Sequence, residues 1–233
     1  MIYDKLKKNK NNITEITNRV SCHFVRGPFV EITGNVTEEY VVQFIDKTTN
    51  QIRFETTIGN NQWAKSNIEY CIDWKVRVLR GEDVFYEHDF NPNGKRVFIS
   101  MGSKALGDTL AWFPYFEEFR KKHNCEVIVS TFHNHMFEEQ YPQFEFVKPG
   151  STVPNLYAMY DVGLFYNENG SVNGLKNPND FKTQTMQKMG SDILGLEYKE
   201  IRPLLPKSNV VKDDKLITIA IHGTAQSKYW LIG

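Results

Sequence analysis

Apolar and polar positions change rhythm near residue 95. Between 20 and 92 they alternate in short runs: Val20–Val25, Pro28–Ile32, Tyr40–Asp46, Gln51–Thr57, Tyr70–Leu79 and Val84–Phe90. Period-2 alternation of this kind predicts half-buried strands. Turn signals separate several of them, at Lys47-Thr48-Thr49-Asn50, Gly59-Asn60-Asn61-Gln62 and Gly81-Glu82-Asp83. Six such strands predict a small antiparallel barrel or sandwich over 19–92. The lysine- and asparagine-rich stretch 1–18 is expected to be a frayed or weakly helical lead-in. Asn91-Pro92-Asn93-Gly94-Lys95 then marks a boundary.

From Arg96 onward strands alternate with helices. Arg96–Met101 is apolar at Val97, Phe98, Ile99 and Met101, which suits a strand covered on both faces. A helix is expected from Thr109 to His123, apolar at 110, 112, 113, 116 and 119 and basic at its end. Further strands are expected at 125–130, 144–147, 160–166 and 216–221. A short helix is expected at 133–140, a loop at 167–179 and a longer helix at 181–194. This order predicts an α/β unit over 96–233, built on a parallel sheet with helices on both faces. Trp112 and Phe113 are expected in its core.

Two polar turns carry candidate chemistry. Gly102 and Gly107 bracket Ser103–Leu106, and Asp108 follows where a helix N-cap would sit. Asp108 is either an ordinary cap or a carboxylate facing the crevice at the carboxyl end of a parallel sheet, where ligands bind in such folds. The glycine spacing is neither G-x-G-x-x-G nor a P-loop. In the second turn, strand 216–221 runs into Gly223, Thr224, Ser227 and Lys228. Backbone N–H groups, hydroxyls and one ammonium could converge there on a phosphate; a plain strand-end loop is the alternative. His133 and His135, two apart and without a third ligand nearby, are expected to be loop or helix-start histidines.

Ser103-Lys104-Ala105-Leu106-Gly107-Asp108-Thr109 with Ala111-Trp112, and Thr224-Ala225-Gln226-Ser227-Lys228-Tyr229-Trp230, follow a small N-terminal β domain. Together they resemble the bacterial autotransporter heptosyltransferases, which are relatives of the lipopolysaccharide heptosyltransferases. The resemblance covers nearly the whole chain. It implies the N-terminal half of a GT-B glycosyltransferase, with a Rossmann-like domain over 96–233 running into the start of the donor-binding half near 214–233. It implies an inverting protein O-glycosyltransferase that moves heptose, or a similar sugar, from an ADP-sugar to serine hydroxyls of an autotransporter adhesin. Asp108 would be the base, and Thr224 and Lys228 would contact the donor diphosphate. Gly107, Thr109, Gln226 and Ser227 complete the implied substrate- and donor-binding set. A single carboxylate suffices for one direct displacement, and no D-x-D pair suggests a metal-dependent donor site.

Members of that family continue into a second Rossmann half with most of the nucleotide-sugar pocket and an iron-binding cysteine cluster. This chain stops at Gly233, after the Tyr229-Trp230 pair, without that cluster. The expectation is therefore no cofactor and no iron, with the ADP-sugar as substrate. The alternative is a non-catalytic fragment acting as a self-assembly or acceptor-binding module, and a homo-oligomer is an expected partner state.

Composition narrows the remaining choices. Among 233 residues, 28 basic and 28 acidic side chains cancel, which removes an electrostatic case for nucleic acid or an anionic membrane. No apolar run is long enough for a membrane helix, and the first residues lack the apolar core of a signal peptide. Cys22, Cys71 and Cys125 are far apart, which points to buried structural thiols in a reducing cytoplasm.

Overall fold

The computed structural model describes residues 18–207 and the two positions 215 and 217. All of the expected strand 216–221 except Ile217, and the loop with Thr224, Gln226, Ser227 and Lys228, lie outside the described residues, as does nearly all of the lead-in.

Seven strands precede the boundary: β1 (Asn18–Val25), β2 (Phe29–Gly34), β3 (Glu39–Asp46), β4 (Gln51–Gly59), β5 (Gln62–Lys65), β6 (Trp74–Arg80) and β7 (Asp83–Asp89). They do not form one barrel or sandwich. β4-β3-β6-β7 make a four-stranded antiparallel sheet, while β1, β2 and β5 belong to a second sheet. β5 is not among the six expected strands, and it starts at Gln62, the last residue of the turn expected at 59–62. Asn61 turns the chain at a positive φ of 58°, and Gln62–Lys65 pairs antiparallel with β2.

The second half supplies β8 (Arg96–Met101), α1 (Leu106–Trp112), α2 (Pro114–His123), β9 (Glu126–Ser130), β10 (Glu145–Phe146), β11 (Ala158–Val162) and α3 (Met186–Ile193). The larger sheet has the order β10-β9-β8-β11-β1-β2-β5. Its first five strands are parallel neighbours, with β1 joining β11 through Phe24 and Val25 opposite Ala158 and Met159. β2 and β5 extend it antiparallel. The fold is thus a mixed sheet beside an antiparallel sheet, with few helices. The first strand of the N-terminal run completes the parallel sheet of the second half.

The expected helix over 109–123 is two helices. It begins earlier, at Leu106, and breaks at Pro114, which has no N–H to donate into the preceding turn. Asp108 is therefore inside the first turn rather than at the cap, which is Ala105. A carboxylate in that turn is favoured by the helix dipole. α2 ends at Asn124, left-handed at φ 47°.

Side chains of β8, β9 and β11 alternate between two faces. Val97, Ile99, Val127, Val129, Ala158 and Tyr160 join one core with Trp112, Phe113, Phe116 and Phe119 from the helices. Phe113 is fully buried and stacks on Phe137 at 3.7 Å between ring centroids. α3 docks beside α1 through Gly190, where an added Cβ would lie 2.8 Å from the Trp112 ring. The Trp112 indole N–H donates to the Met186 carbonyl at 2.7 Å across the same contact. The other face of these strands is the wall of a cleft.

Candidate active site

The cleft has a volume of about 750 Å³. Its floor is the second face of the parallel strands, through Phe98 and Ser100 of β8, Ser130 of β9, and Met159 and Asp161 of β11. Register places Ser130, Ser100 and Asp161 in one row across three strands, since Ser100 pairs with both Ser130 and Asp161. Phe98 and Met159 form an apolar row below. The cleft opens past the strand ends onto Gly102, Ser103, Asp108 and Trp112.

Asp108 stands at that mouth. Ser103 Oγ donates to Asp108 Oδ2 at 2.6 Å and accepts from the Ala105 N–H at 3.1 Å. One backbone amide thus orients the hydroxyl, which orients the carboxylate. Among the described residues nothing donates to Oδ1. Opposite, His133 Nε2 donates to the Lys104 carbonyl at 3.0 Å and ties the loop after β9 to the loop before α1. Lys104 also lies over the half-exposed Phe132 ring, 5.2 Å from its centroid, at the rim.

The other expected site residues fall differently. Gly107 is in the first turn of α1 with open space where a Cβ would be. Thr109 is fully buried, and its hydroxyl donates back to the Ala105 carbonyl at 3.2 Å, so it holds the turn. Trp112 is core and cleft wall at once. The loop 167–179 is folded around the buried Asn177. That side chain accepts from the Phe165 N–H and donates to the Gly163 carbonyl, both at 3.0 Å, and so fixes the cleft wall at 163–165.

Sequence reasoning passed over Ser100, Asp161 and Arg26. Asp161 accepts a short hydrogen bond from Ser100 Oγ and pairs with the Arg26 guanidinium at 3.0 Å. The available signal was a serine and an aspartate each set between apolar neighbours near the end of a strand.

No family model matches the sequence. The autotransporter heptosyltransferase BAHTCr of Citrobacter rodentium is 32% identical over 198 residues, covering 81% of this chain and 46% of that protein. TibC of Escherichia coli O78:H11, also an autotransporter heptosyltransferase, is 31% identical over 81% of this chain and 47% of its own length. The chain is a relative of the autotransporter heptosyltransferases. It spans about half the length of the curated relatives it matches. The crystal structure of TibC, described as an iron-containing dodecameric glycosyltransferase, superposes with a TM-score of 0.80 at 26% identity, covering 91% of this chain and 55% of that one. A second TibC structure, in complex with ADP-D-beta-D-heptose, gives the same TM-score. An inactive autotransporter heptosyltransferase, BimC of Burkholderia thailandensis, is 28% identical over 54% of this chain and 30% of its own length.

The iron of TibC raises the question of a metal here. Among the described residues no cluster of three histidine, cysteine or acidic side chains is placed to hold a metal ion. Burial pushes the Cys71 thiol up to about 11 and those of Cys22 and Cys125 up to about 12, so all three stay protonated at neutral pH. No helix among the described residues is long and apolar enough to cross a membrane.

Proposed function

We propose that this chain forms the acceptor-side half of an inverting protein O-glycosyltransferase of GT-B architecture. It transfers heptose, or a similar sugar, from an ADP-sugar to serine hydroxyls of an autotransporter adhesin. The observation that carries this reading is a carboxylate held by Ser103 at the mouth of a cleft, in a chain related to heptosyltransferases along most of its length.

In that reaction Asp108 accepts the serine proton as the serine oxygen attacks the anomeric carbon. The bond from that carbon to the diphosphate oxygen breaks, ADP leaves with the electron pair, and the anomeric centre inverts. Proton removal by a positioned base contributes about 10²–10⁴-fold. Lys228, with Thr224, Gln226 and Ser227, would stabilise the departing diphosphate, because charge develops there in the transition state. Gly107 would leave room for close approach of substrate to the first turn of α1, and Thr109 would keep that turn in shape. The three free cysteines fit a reducing compartment such as the cytoplasm. The dodecameric TibC supports a homo-oligomer.

A non-catalytic acceptor-binding or self-assembly role is the second reading, favoured by the likeness to an inactive relative. The two separate in one assay. The full-length protein containing this chain is incubated with ADP-heptose and a serine-rich adhesin segment, and the acceptor is weighed by intact mass spectrometry. The transferase reading expects whole sugar increments on the acceptor and equimolar ADP. An acceptor of unchanged mass would leave only the non-catalytic role.

A further inference from the structure

The cleft contains a second polar feature that the base assignment does not use. Asp161 sits in the row Ser130–Ser100–Asp161, accepts from Ser100 Oγ and faces Arg26 at 3.0 Å. Its side chain is mostly covered, at 20% exposure, whereas that of Arg26 is 50% exposed. Arg26 occupies the left-handed region at φ 54°, uncommon for a residue with a Cβ. The next residue explains how it is held. Gly27 has φ 99°, and a Cβ there would lie 2.6 Å from the Ser66 carbonyl oxygen and 2.7 Å from that of Ile68. The turn after β1 is thus wedged against 66–68, with the Arg26 N–H donating to the Met159 carbonyl at 3.3 Å. Strained residues of this kind persist where surrounding structure overdetermines them, often in ligand clefts.

Charge decides what such a feature can bind. The charged side chains lining the cleft are Asp108, Asp161 and Arg26, a sum of −1. Among the described lining residues the one cation, Arg26, is already paired with Asp161, and Lys104 stands outside the lining, at the rim over Phe132. A diphosphate brought to this wall would meet two carboxylates for one paired guanidinium. A polyhydroxyl group meets no such penalty, because a carboxylate accepts from hydroxyls and a guanidinium donates to the same oxygens. Beside it, the Phe98–Met159 row offers an apolar surface to the C–H face of a sugar ring.

We infer that Ser100, Asp161 and Arg26 form the hydroxyl-recognising subsite for the transferred sugar. This rests on the transferase reading above. Asp161 and Arg26 are the specificity-determining pair, and Ser100 positions Asp161.

The test uses the full-length protein with Asp161→Asn and, separately, Ser100→Ala, each checked for an unchanged melting curve. The readouts are KM for ADP-sugar, kcat and the inhibition constant of ADP. Loss of a hydrogen bond to a charged group predicts a KM for ADP-sugar raised about tenfold or more by Asp161→Asn. Ser100→Ala should raise it less, and the inhibition constant of ADP should not move. An unchanged KM for ADP-sugar, a parallel loss of ADP affinity, or a rise confined to the acceptor's KM would each overturn the assignment. If Asp161→Asn fails to fold, the Ser100→Ala result decides alone. If the wild-type protein transfers no sugar, the transferase reading falls by itself. The subsite then stands only if the wild type binds ADP-sugar more tightly than ADP and Ser100→Ala narrows that gap.

Discussion

Asp108→Asn in the full-length protein is expected to lower kcat for sugar transfer by about 10²–10⁴-fold, the usual contribution of a general base. That range corresponds to about 2.7–5.4 kcal/mol of transition-state stabilisation. Asparagine keeps the size of the side chain and an oxygen for the Ser103 hydroxyl, which lies 2.6 Å from the carboxylate. It cannot take a proton. The loss should therefore appear in kcat, with ADP affinity and the melting curve unchanged. Single-turnover transfer, watched by acceptor mass, separates the chemical step from product release. Near wild-type single-turnover rates would show that another group removes the proton.

Phe113→Ala is expected to cost about 3–5 kcal/mol of stability, as large aromatic truncations in cores do. Phe113 joins α1 to α2, and its ring is stacked on Phe137 at 3.7 Å and set edge-on to Tyr141 at 5.0 Å and Phe144 at 6.0 Å. Removing it would open a hole where the two helices meet the loop after β9. Domains have about 5–15 kcal/mol in total, so such a loss is a large fraction. For a chain of this size the melting midpoint should fall by roughly 10 °C. Leu106→Ala is the matched control. Leu106 is 46% exposed, and its truncation should stay within about 0.5 kcal/mol. A loss below about 1 kcal/mol for Phe113→Ala would mean that the aromatic cluster relaxes around the gap.

Local pattern made some elements legible and left others hidden. Val97, Phe98 and Ile99 marked β8 because a strand covered on both faces must be apolar at successive positions. The Gly107-Asp108 turn stood out because glycine and a short carboxylate interrupt an apolar run. The break at Pro114 was equally visible, but the run of apolar residues across it suggested one helix. The partner of β1 was not legible. Nothing in Phe24 or Val25 announces Ala158 and Met159, since pairing register is set by distant packing. The same holds for Arg26 and Asp161, which come together only once β1 lies beside β11. The short strand β5 was hidden by its four-residue length and the glycine–asparagine turn before it.

The most direct measurement is a crystal structure of the full-length protein with a non-transferable ADP-sugar analogue and a serine peptide. The account predicts the sugar ring over the Phe98–Met159 row and the serine hydroxyl within about 2.6–3.2 Å of an Asp108 carboxylate oxygen, with the diphosphate beside Lys228. A sugar bound outside this cleft, or Asp108 turned away from the acceptor hydroxyl with Lys228 on the far side of the sheet, would contradict it.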